Sequence, residues 1–267
     1  MKQQITKVIN NIRILPEMKL RRGKNSTETR LIWLTCPEIA QEAKPGQFVM
    51  VKCGNECTLP RPFSIFRIYG KSDIAIFYTV WEGGKGTEWL AERRVGDTIE
   101  IFGPLGNGFT IKPGARNLLL VAGGMGIAPL FFLAQEASSR MYQVTLLYGT
   151  AVRNRYPIPP EIRTIAATED GTIGYKGMVT DLIPDYIETT DQIFACGPMA
   201  MYQDMVERSE QLGINKKPVQ ISLETRMACG LGVCFGCTVR TKFGLKQACK
   251  DGPVFELSNI VWDSLIV

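Results

Sequence analysis

The sequence contains no histidine among its 267 residues. This absence excludes a Ser-His or Cys-His nucleophile pair, a His-ligated zinc site, a Rieske cluster and a His-ligated haem. Metal binding and catalysis must therefore depend on other side chains. The eight cysteines are the most distinctive of them.

Long apolar runs are also lacking. No stretch approaches the roughly 18 to 20 consecutive apolar residues that a membrane span requires, and residues 1–10 lack the apolar core of a signal peptide. The 31 Lys and Arg and the 26 Asp and Glu leave a small positive excess, scattered in short pairs such as Lys216-Lys217. We therefore expect a cytoplasmic protein with no membrane segment and no nucleic-acid partner.

Hydrophobic patterning divides the chain into three segments. Residues 1–112 contain short alternating runs between Gly, Pro and polar turns, which is typical of an antiparallel β-barrel. Residues 113–217 alternate apolar strands with helices, which is typical of a doubly wound α/β domain with a parallel sheet. Residues 218–267 are rich in cysteine. The pattern predicts a multidomain protein with a barrel, an α/β domain and a small metal-binding domain.

The predicted elements follow from the same patterns. Strands of the parallel sheet are placed at 117–122, 143–148, 162–167, 192–195 and 218–223, and helices at 127–139 and 199–212. In the first segment, strands are placed at 47–52 and 73–80, and a helical run at 88–93.

A cysteine cluster is the strongest motif. Cys229, Cys234, Cys237 and Cys249 have the spacing C-x4-C-x2-C-x11-C, which matches plant-type [2Fe-2S] loops. Four thiolates can converge on two irons only from a tightly curled backbone, and the interleaved glycines allow that curl. A structural zinc site with four thiolate ligands is the alternative.

A glycine-rich turn follows the first predicted strand of the parallel sheet and opens a helix. Backbone amides and the helix dipole can bind a pyrophosphate at such a turn, so Gly123, Gly124 and Gly126 are candidates. The motif departs from G-x-G-x-x-G because Pro129 stands where the third glycine would be. A plain strand-to-helix turn is the alternative.

The motif Cys196-Gly197-Pro198 closes another predicted strand of that sheet. It lies at the carboxyl edge, where open α/β sheets bind their ligands. Cys196 is either a functional thiol or a small buried apolar residue.

Two loops of the first segment suit a flavin diphosphate. Arg61 offers a forked positive charge at the start of Arg61-Pro62-Phe63-Ser64, and Gly86 and Thr87 offer donors near the start of a helix. Taken singly, each loop is equally typical of an ordinary solvated turn.

Taken in order, R-P-F-S, G-x-G-T, G-P-L-G-N-G-F, G-G-M-G-I-A-P and C-G-P resemble the ferredoxin-NADP reductase superfamily over about residues 5–215. With the terminal M-A-C-G and C-K-D-G-P-V-F, the whole chain resembles the electron-transfer subunits of NAD-dependent (class 1B) dihydroorotate dehydrogenases. The small subunits of NADH-dependent ferredoxin:NADP oxidoreductases and of sulfide dehydrogenases look similar, but an Asp can replace one cluster Cys there.

The resemblance implies a role for each motif. FAD would be lined by Arg61, Pro62, Phe63 and Ser64, contacted at its ring or ribityl chain by Tyr78, Thr79 and Val80, and held at its pyrophosphate by Gly86 and Thr87. NAD phosphates would face Gly123, Gly124 and Gly126, and the nicotinamide would approach Cys196, the catalytic candidate, beside Gly197 and Pro198. The [2Fe-2S] cluster would be bound by Cys229, Cys234, Cys237 and Cys249.

The resemblance also implies a partner and a function. Electrons would pass from an FMN-containing dihydroorotate dehydrogenase catalytic subunit through [2Fe-2S] and FAD to NAD+, in pyrimidine biosynthesis, within a two-plus-two heterotetramer. The preference for NAD comes from the resemblance alone, because Arg153 and Arg155 would equally suit a 2′-phosphate. The alternatives are an NAD(P)H:ferredoxin-type reductase, a sulfide dehydrogenase flavoprotein subunit, and a zinc-stabilised binding module.

Overall fold

The first part of the chain is a closed antiparallel barrel in the computed structural model, which describes residues 2–15, 18–19, 25–151 and 162–262. Its elements are β1 (Lys2–Leu15), β2 (Met18–Lys19), β3 (Asn25–Thr35), α1 (Pro37–Glu42), β4 (Phe48–Val51), β5 (Arg61–Tyr69), β6 (Asp73–Trp81), α2 (Lys85–Ala91) and β7 (Thr98–Leu105). The strands follow the order β1-β7-β4-β5-β6-β3, and β3 pairs again with β1. The short β2 pairs antiparallel with the first residues of β3.

The barrel closes around an apolar core built by alternation. Along β7, for example, Ile99 and Ile101 are buried, whereas Glu100 between them is half-buried. Side chains of a strand point alternately to its two faces, so a period of two puts one apolar set inside. Ile74 and Ile76 of β6 fill the same core and are fully buried.

The second part is a sheet with helices on both faces. The elements that follow the barrel are β8 (Asn117–Gly123), α3 (Ile127–Ser139), β9 (Gln143–Thr150), β10 (Arg163–Thr168), β11 (Tyr175–Lys176), α4 (Pro184–Ile187), β12 (Gln192–Cys196), α5 (Met199–Glu207), β13 (Val219–Ser222), β14 (Thr238–Thr241), β15 (Gly244–Gln247) and β16 (Val254–Glu256). Short 3-10 helices lie at Gly124–Gly126, Val179–Leu182, Ile214–Lys216 and Leu257–Asn259.

The sheet order is β11-β10-β9-β8-β12-β13-β16, with parallel neighbours up to β13. Leu118 and Leu120 of β8 pack on the α3 side, whereas Leu119 and Val121 pack on the α5 side. Burial on both faces explains why these strands read as continuous apolar runs rather than alternating ones. The predicted barrel and doubly wound sheet are confirmed.

Two helices differ from their predicted bounds, α5 at its end and α2 at both ends, since α2 spans Lys85–Ala91 rather than 88–93. Helix α3 has the predicted bounds, but α5 ends at Glu207 rather than 212, and the chain then turns toward Gly213, whose φ is +70°. Helix α2 begins at Lys85, ahead of the predicted 88. The Glu88 carboxylate accepts the amide of Gly83 at 2.9 Å, which stabilises an earlier helix start.

The cysteine-rich tail is joined to both other parts of the molecule. Its last strand, β16, pairs antiparallel with β13 and so completes the second sheet. Asn107, just after the barrel, donates through Nδ2 to the carbonyl of Asp251 at 2.8 Å, and its Oδ1 accepts the amide of Val254 at 3.2 Å. The G-P-L-G-N-G-F motif therefore anchors the tail.

The division at residues 112 and 217 stays a proposal. Strand β13 starts at Val219, inside the third predicted segment, yet it lies in the sheet of the second. The third segment thus contributes to two structures, the sheet and the cysteine-rich loop.

Replacing Asn107 with Ala removes two hydrogen bonds that hold the tail. At about 0.5 to 1.5 kcal/mol each, we expect a loss of about 1 to 3 kcal/mol in the free energy of unfolding, together with easier loss of any metal from the tail. Denaturant unfolding monitored by circular dichroism measures it. The control is Asn55→Ala in an exposed loop, and equal stability of the two variants would contradict this anchoring role.

Candidate functional site

The four tail cysteines form a curled, amide-rich loop. Each sulfur accepts at least one backbone N–H: Leu231 donates to Cys229 at 3.3 Å, Gly232 to Cys249 at 3.1 Å, Gly236 to Cys234 at 3.5 Å, and Cys249 to Cys237 at 3.4 Å. Gly230 and Gly232 have φ of +71° and +77°, values that side-chain-bearing residues rarely adopt. This loop geometry suits thiolates that need amide donors.

The sulfurs fall into an outer and an inner pair. Cys234 is exposed and Cys229 half-buried, whereas Cys237 and Cys249 are only 3% and 2% exposed. The β14–β15 hairpin spans the long x11 gap and brings Cys249 back against Cys237. Two pairs are what a two-iron cluster needs, one pair to each iron.

Two of the four thiols differ in acidity. Burial acts to raise the pKa of Cys229, but amide hydrogen bonds from Leu231, Cys234 and Val233 outweigh it and lower that pKa to about 6. Burial, together with the neighbouring Cys237, raises the pKa of Cys249 to about 12. Cys229 is therefore readier than Cys249 to ionise before metal arrives.

A zinc site would need four thiolates around one point. The spacing C-x4-C-x2-C-x11-C instead matches plant-type [2Fe-2S] loops.

A cleft of about 640 Å³ runs along the barrel beside α2. Arg61 and Lys85 bring positive charge to it, and Gly86 lies buried beneath Arg61, where a Cβ would come within 3.1 Å of the arginine Cγ. The Arg61 guanidinium contacts the carbonyl of Leu59 at 3.2 Å, so it is held along the cleft wall. Such a cleft suits a diphosphate.

A second cavity of about 410 Å³ adjoins this cleft where the barrel meets the sheet. The two share Pro62, Phe63, Trp81 and Thr87. Barrel residues including Ser64, Tyr78 and Thr79 form one wall, and Met125 and residues 222–225 form the other. A long ligand with a charged end and a flat aromatic end fits the cleft and cavity together.

Asn11 links the two ends of this site, a role that no sequence motif indicates. Its Nδ2 donates to the carbonyls of Leu90 and Arg93 at the end of α2, at 3.0 and 2.8 Å. Its Oδ1 accepts from the hydroxyl of Tyr78 at 3.3 Å. Burial raises the pKa of Tyr78, so this hydroxyl stays a donor and its ring is fixed in the cavity wall.

Two further cavity residues were missed by sequence reasoning, namely Glu224 and Thr225. The hydroxyl of Thr225 is buried and has no hydrogen-bond partner in the described protein. Burial raises the pKa of Glu224, although its side chain borders the open space of the cavity. Their position just after β13, at the carboxyl edge of the sheet, is the signal that could have identified them.

At the same edge, the predicted nucleotide motifs pack against each other. Strands β8 and β12 are neighbours, and a Cβ on Gly126 would collide with the carbonyl of Cys196. A Cβ on Gly123 would come within 2.7 Å of Pro198. Gly124, with φ of +54°, faces open space instead, so it is the glycine best placed for a phosphate.

Several of the predicted contact residues do not line the cavity, among them Val80, Cys196, Gly123 and Gly126. Cys196 is fully buried, its sulfur lies 3.4 Å from the carbonyl oxygen of Ser222, and burial raises its pKa well above 9.0. Val80 packs in the barrel core. Gly123 and Gly126 allow the glycine turn to pack closely against Pro198 and Cys196. The catalytic role of Cys196 stays a prediction, and as a neutral thiol it can only act without ionising. Arg153 and Arg155 lie outside the described residues.

The comparisons with known proteins agree with this geometry. Residues 224–261 match the iron-sulfur cluster binding domain of dihydroorotate dehydrogenase B. A chain of Desulforamulus reducens named dihydroorotate dehydrogenase B (NAD(+)), electron transfer subunit, is 38% identical over 241 residues, 85% of this chain and 90% of its own. Its namesake from Clostridium acetobutylicum is 39% identical over 222 residues, 82% of this chain and 87% of its own.

Solved structures show the same architecture. One, described in work on flavin-based electron bifurcation by the NADH-dependent reduced ferredoxin-NADP oxidoreductase, has a TM-score of 0.82, 27% identity, and coverage of 98% of this chain and 91% of its own. A ferredoxin NADP+ reductase from Neisseria gonorrhoeae has a TM-score of 0.61 at 18% identity, covering 80% of this chain and 92% of its own, and shows the fold alone.

Barrel, sheet and cysteine loop together define an oxidoreductase of the ferredoxin-NADP reductase type with an added iron-sulfur domain. Within that class, the chain belongs to the family of dihydroorotate dehydrogenase B (NAD(+)) electron transfer subunits. The resemblance seen in the sequence is confirmed.

Replacing Cys234 with Ala is expected to remove or destabilise the cluster while FAD stays bound, because the cysteine loop and the barrel cleft are separate. Iron, sulfide and flavin analyses of the purified protein measure both. Val233→Ala, an adjacent exposed change, should leave the iron content unaltered. Full iron occupancy in the Cys234 variant would contradict the ligand assignment.

Replacing Arg61 with Ala is expected to weaken FAD binding. Charge-assisted hydrogen bonds to a phosphate are worth about 1.5 to 3 kcal/mol, which corresponds to a loss of affinity of about 10- to 150-fold. Flavin retention after dialysis measures it, with Arg94→Ala outside the cleft as the control. Wild-type retention would mean that Arg61 does not touch the cofactor.

Proposed function

We propose that this chain passes electrons from a dihydroorotate-oxidising subunit through a [2Fe-2S] cluster and FAD to NAD+, as a step of pyrimidine biosynthesis. The observation that carries the proposal is the continuity of the site. One segment, residues 222–229, leads from the nucleotide edge of the sheet, along the cavity wall, to the first cluster cysteine. A flavin in the cavity would therefore lie between the cluster and NAD.

The residues present fit FAD. Arg61 and Lys85 offer charge for its diphosphate, and Gly86 leaves room beside them. The cavity walls are flat and partly aromatic, and Phe63 meets Tyr78 edge-on with ring centroids 5.9 Å apart. The unpartnered hydroxyl of Thr225 offers a hydrogen bond to a polar ring edge. When bound, FAD exchanges hydride with NAD and single electrons with the cluster.

The residues also fit the other two cofactors. Each cluster cysteine receives an amide hydrogen bond, which stabilises thiolate charge and shifts the cluster potential upward. Gly124 and the turn Cys196-Gly197-Pro198 border the carboxyl edge, where NAD would approach the cavity from the sheet side. Met125 lies between the two sites, and its sulfur accepts the Thr79 hydroxyl at 3.2 Å.

The name of the relatives implies a catalytic partner subunit, and the cluster loop offers a surface for it. Its apolar side chains stand out from the molecule, and those of the neighbouring hairpin do the same. They are Leu231, Val233, Phe235, Phe243 and Leu245, from 42% to 74% exposed. Phe235 follows Cys234 directly and has a φ of +58°, a strained value for a residue with a side chain.

We infer that this surface docks an FMN-containing catalytic subunit, so that the outer sulfurs face the electron donor. A two-plus-two heterotetramer is the assembly that we expect. The complex would work in the cytoplasm, where clustered cysteines bind metal rather than form disulfides. Within the described residues, no helix is long and apolar enough to cross a membrane.

A reductase that serves ferredoxin is the second candidate, favoured by the 0.82 TM-score and 98% coverage of the NADH-dependent structure. Two observations favour the first candidate. The cluster loop has four cysteines rather than three and an Asp, and the chain is 36% to 39% identical to the dihydroorotate dehydrogenase subunits.

The isolated chain, loaded with its cofactors, is expected to oxidise NADH with ferricyanide but not to reduce NAD+ with dihydroorotate. Oxidising dihydroorotate needs a positioned base beside a flavin that accepts its hydride, and the site described here faces NAD instead. Steady-state assays with the single chain, then with the FMN subunit added, measure both. Turnover of dihydroorotate by a preparation without a second chain would contradict this division of labour.

A further inference from the structure

The proposed function requires hydride to pass between two ligands held by neighbouring strands, and the inference that follows rests on that function. The nicotinamide is predicted beside the C-G-P turn (Cys196-Gly197-Pro198) at the end of β12. The flavin is predicted beside residues 222–225, which begin at the end of β13 and form a wall of the cavity. Hydride transfer needs reacting atoms about 3 to 3.5 Å apart. The gap between the ends of β12 and β13 therefore matters for the reaction.

Strands β12 and β13 leave their parallel ladder at this edge of the sheet. Their pairs in register begin with Ile193 and Val219, and the amide of Ile193 donates to the carbonyl of Pro218 at 2.9 Å. Hydrogen bonds of a parallel ladder recur at every second residue. Two steps further along, a continued ladder would join the amide of Gly197 directly to the carbonyl of Ser222.

A tyrosine hydroxyl takes the place of that direct bond. The amide of Gly197 donates to the hydroxyl oxygen of Tyr202 at 3.0 Å, and this hydroxyl donates to the carbonyl of Ser222 at 2.7 Å. Tyr202 belongs to α5, which begins at Met199, and the side chains of a helix lean toward its N-terminus. The ring therefore reaches back over the turn that precedes the helix. One oxygen atom thus stands between the two strand ends.

The hydroxyl is held firmly in this place. Tyr202 is 1% exposed, and its ring packs against Trp262 with centroids 5.8 Å apart. Burial raises the pKa of Tyr202 well above its usual range, so the hydroxyl stays protonated and continues to donate. The thiol of Cys196 lies 3.4 Å from the same carbonyl oxygen of Ser222, but a thiol is a weak donor. The tyrosine is therefore the stronger link between the C-G-P turn and the cavity wall.

The outer sides of the two strand ends are fixed by other contacts, because β8 flanks β12 and β16 flanks β13. A Cβ on Gly126 would collide with the carbonyl of Cys196, so the glycine turn packs tightly on the C-G-P turn. On the other side, the amide of Leu223 donates to the carbonyl of Pro253 at 2.9 Å and ties the cavity wall to the tail. Tyr202 fills the gap between these two fixed sides.

We propose that Tyr202 is a positioning residue whose hydroxyl acts as a spacer between the C-G-P turn and the cavity wall, and so sets the separation of nicotinamide from flavin. It acts through Gly197 and Ser222 and not by touching the atoms that react. Without the hydroxyl, the buried amide of Gly197 loses its partner, and because an unpaired buried amide costs free energy, the turn shifts to find another. The two ligands then meet at a changed separation.

Replacing Tyr202 with Phe removes the oxygen and keeps the ring, and two reductants separate positioning from general damage. NADH reduces the flavin by hydride from its nicotinamide, whereas reduced methyl viologen brings electrons alone. In Tyr202→Phe, loaded with FAD and cluster, we expect anaerobic stopped-flow reduction of the flavin by saturating NADH to slow about 10- to 100-fold, since a misplacement of about 1 Å can cost about a hundredfold. Reduction by methyl viologen should stay within about twofold of the wild type, because it needs no nicotinamide.

The dependence of the same reaction on NADH concentration gives a second readout. The limiting rate should fall while the apparent dissociation constant of NADH changes by less than about threefold, because the lost interaction acts on the transfer step rather than on binding. Thr190→Val is the matched control. The Thr190 hydroxyl is also buried and donates to the carbonyl of Tyr186 at 2.8 Å, but Thr190 precedes β12 at the opposite edge of the sheet. Both reactions should keep their wild-type rates in this variant.

An unchanged NADH rate in Tyr202→Phe would overturn the proposal, and so would equal slowing with both reductants. If that variant fails to retain FAD and iron, Gly197→Ala moves the same turn and leaves the hydroxyl in place. The added Cβ would come within 2.7 Å of the Met201 methyl carbon and 3.1 Å of the Gly123 Cα. This variant must slow the NADH reaction alone, and a wild-type rate would overturn the proposal. A wild-type chain whose flavin is not bleached by NADH would instead refute the proposed function.

Discussion

The antiparallel pairing of β16 with β13 is the constraint on which the whole site depends. Three residue pairs in register, from Gln220 with Glu256 to Ser222 with Val254, fasten the tail to the edge of the sheet. Strand β13 continues directly into the cavity wall and then into the cysteine loop. Backbone hydrogen bonds, rather than flexible side chains, therefore set how far the cluster lies from the cavity, and electron transfer needs such a fixed separation.

Close backbone approach fixes the geometry of the nucleotide edge of the sheet in the same way. Gly126 lets the start of α3 lie against the carbonyl of Cys196, and Gly123 makes room for Pro198. Two of the three glycines in the motif are thus needed for packing between neighbouring turns, and the third, Gly124, faces open space. The contact of all three with a phosphate stays a prediction.

How far the sequence could predict this site depends on whether a signal is local. Helix α3 has its predicted bounds because a glycine turn precedes a long apolar helix, and the cysteine spacing marks its own loop. Glu224 and Thr225 have only their position after a predicted strand as a signal, and Asn11 has none. Asn11 matters because folding brings it within 2.8 Å of the carbonyl of Arg93, far along the chain. Tertiary contacts of this kind leave no periodicity or motif to read.

The site also distributes its charges unevenly along its length. Arg61 and Lys85 line the cleft, where a diphosphate would bring negative charge, and Glu56 of the same lining pairs with Lys85 at 3.7 Å. The cavity beyond Thr87 has no cation among its described lining residues and one carboxyl group, that of Glu224. Positive charge is therefore confined to the cleft, so the affinity for a diphosphate and the contacts to an aromatic ring depend on different residues.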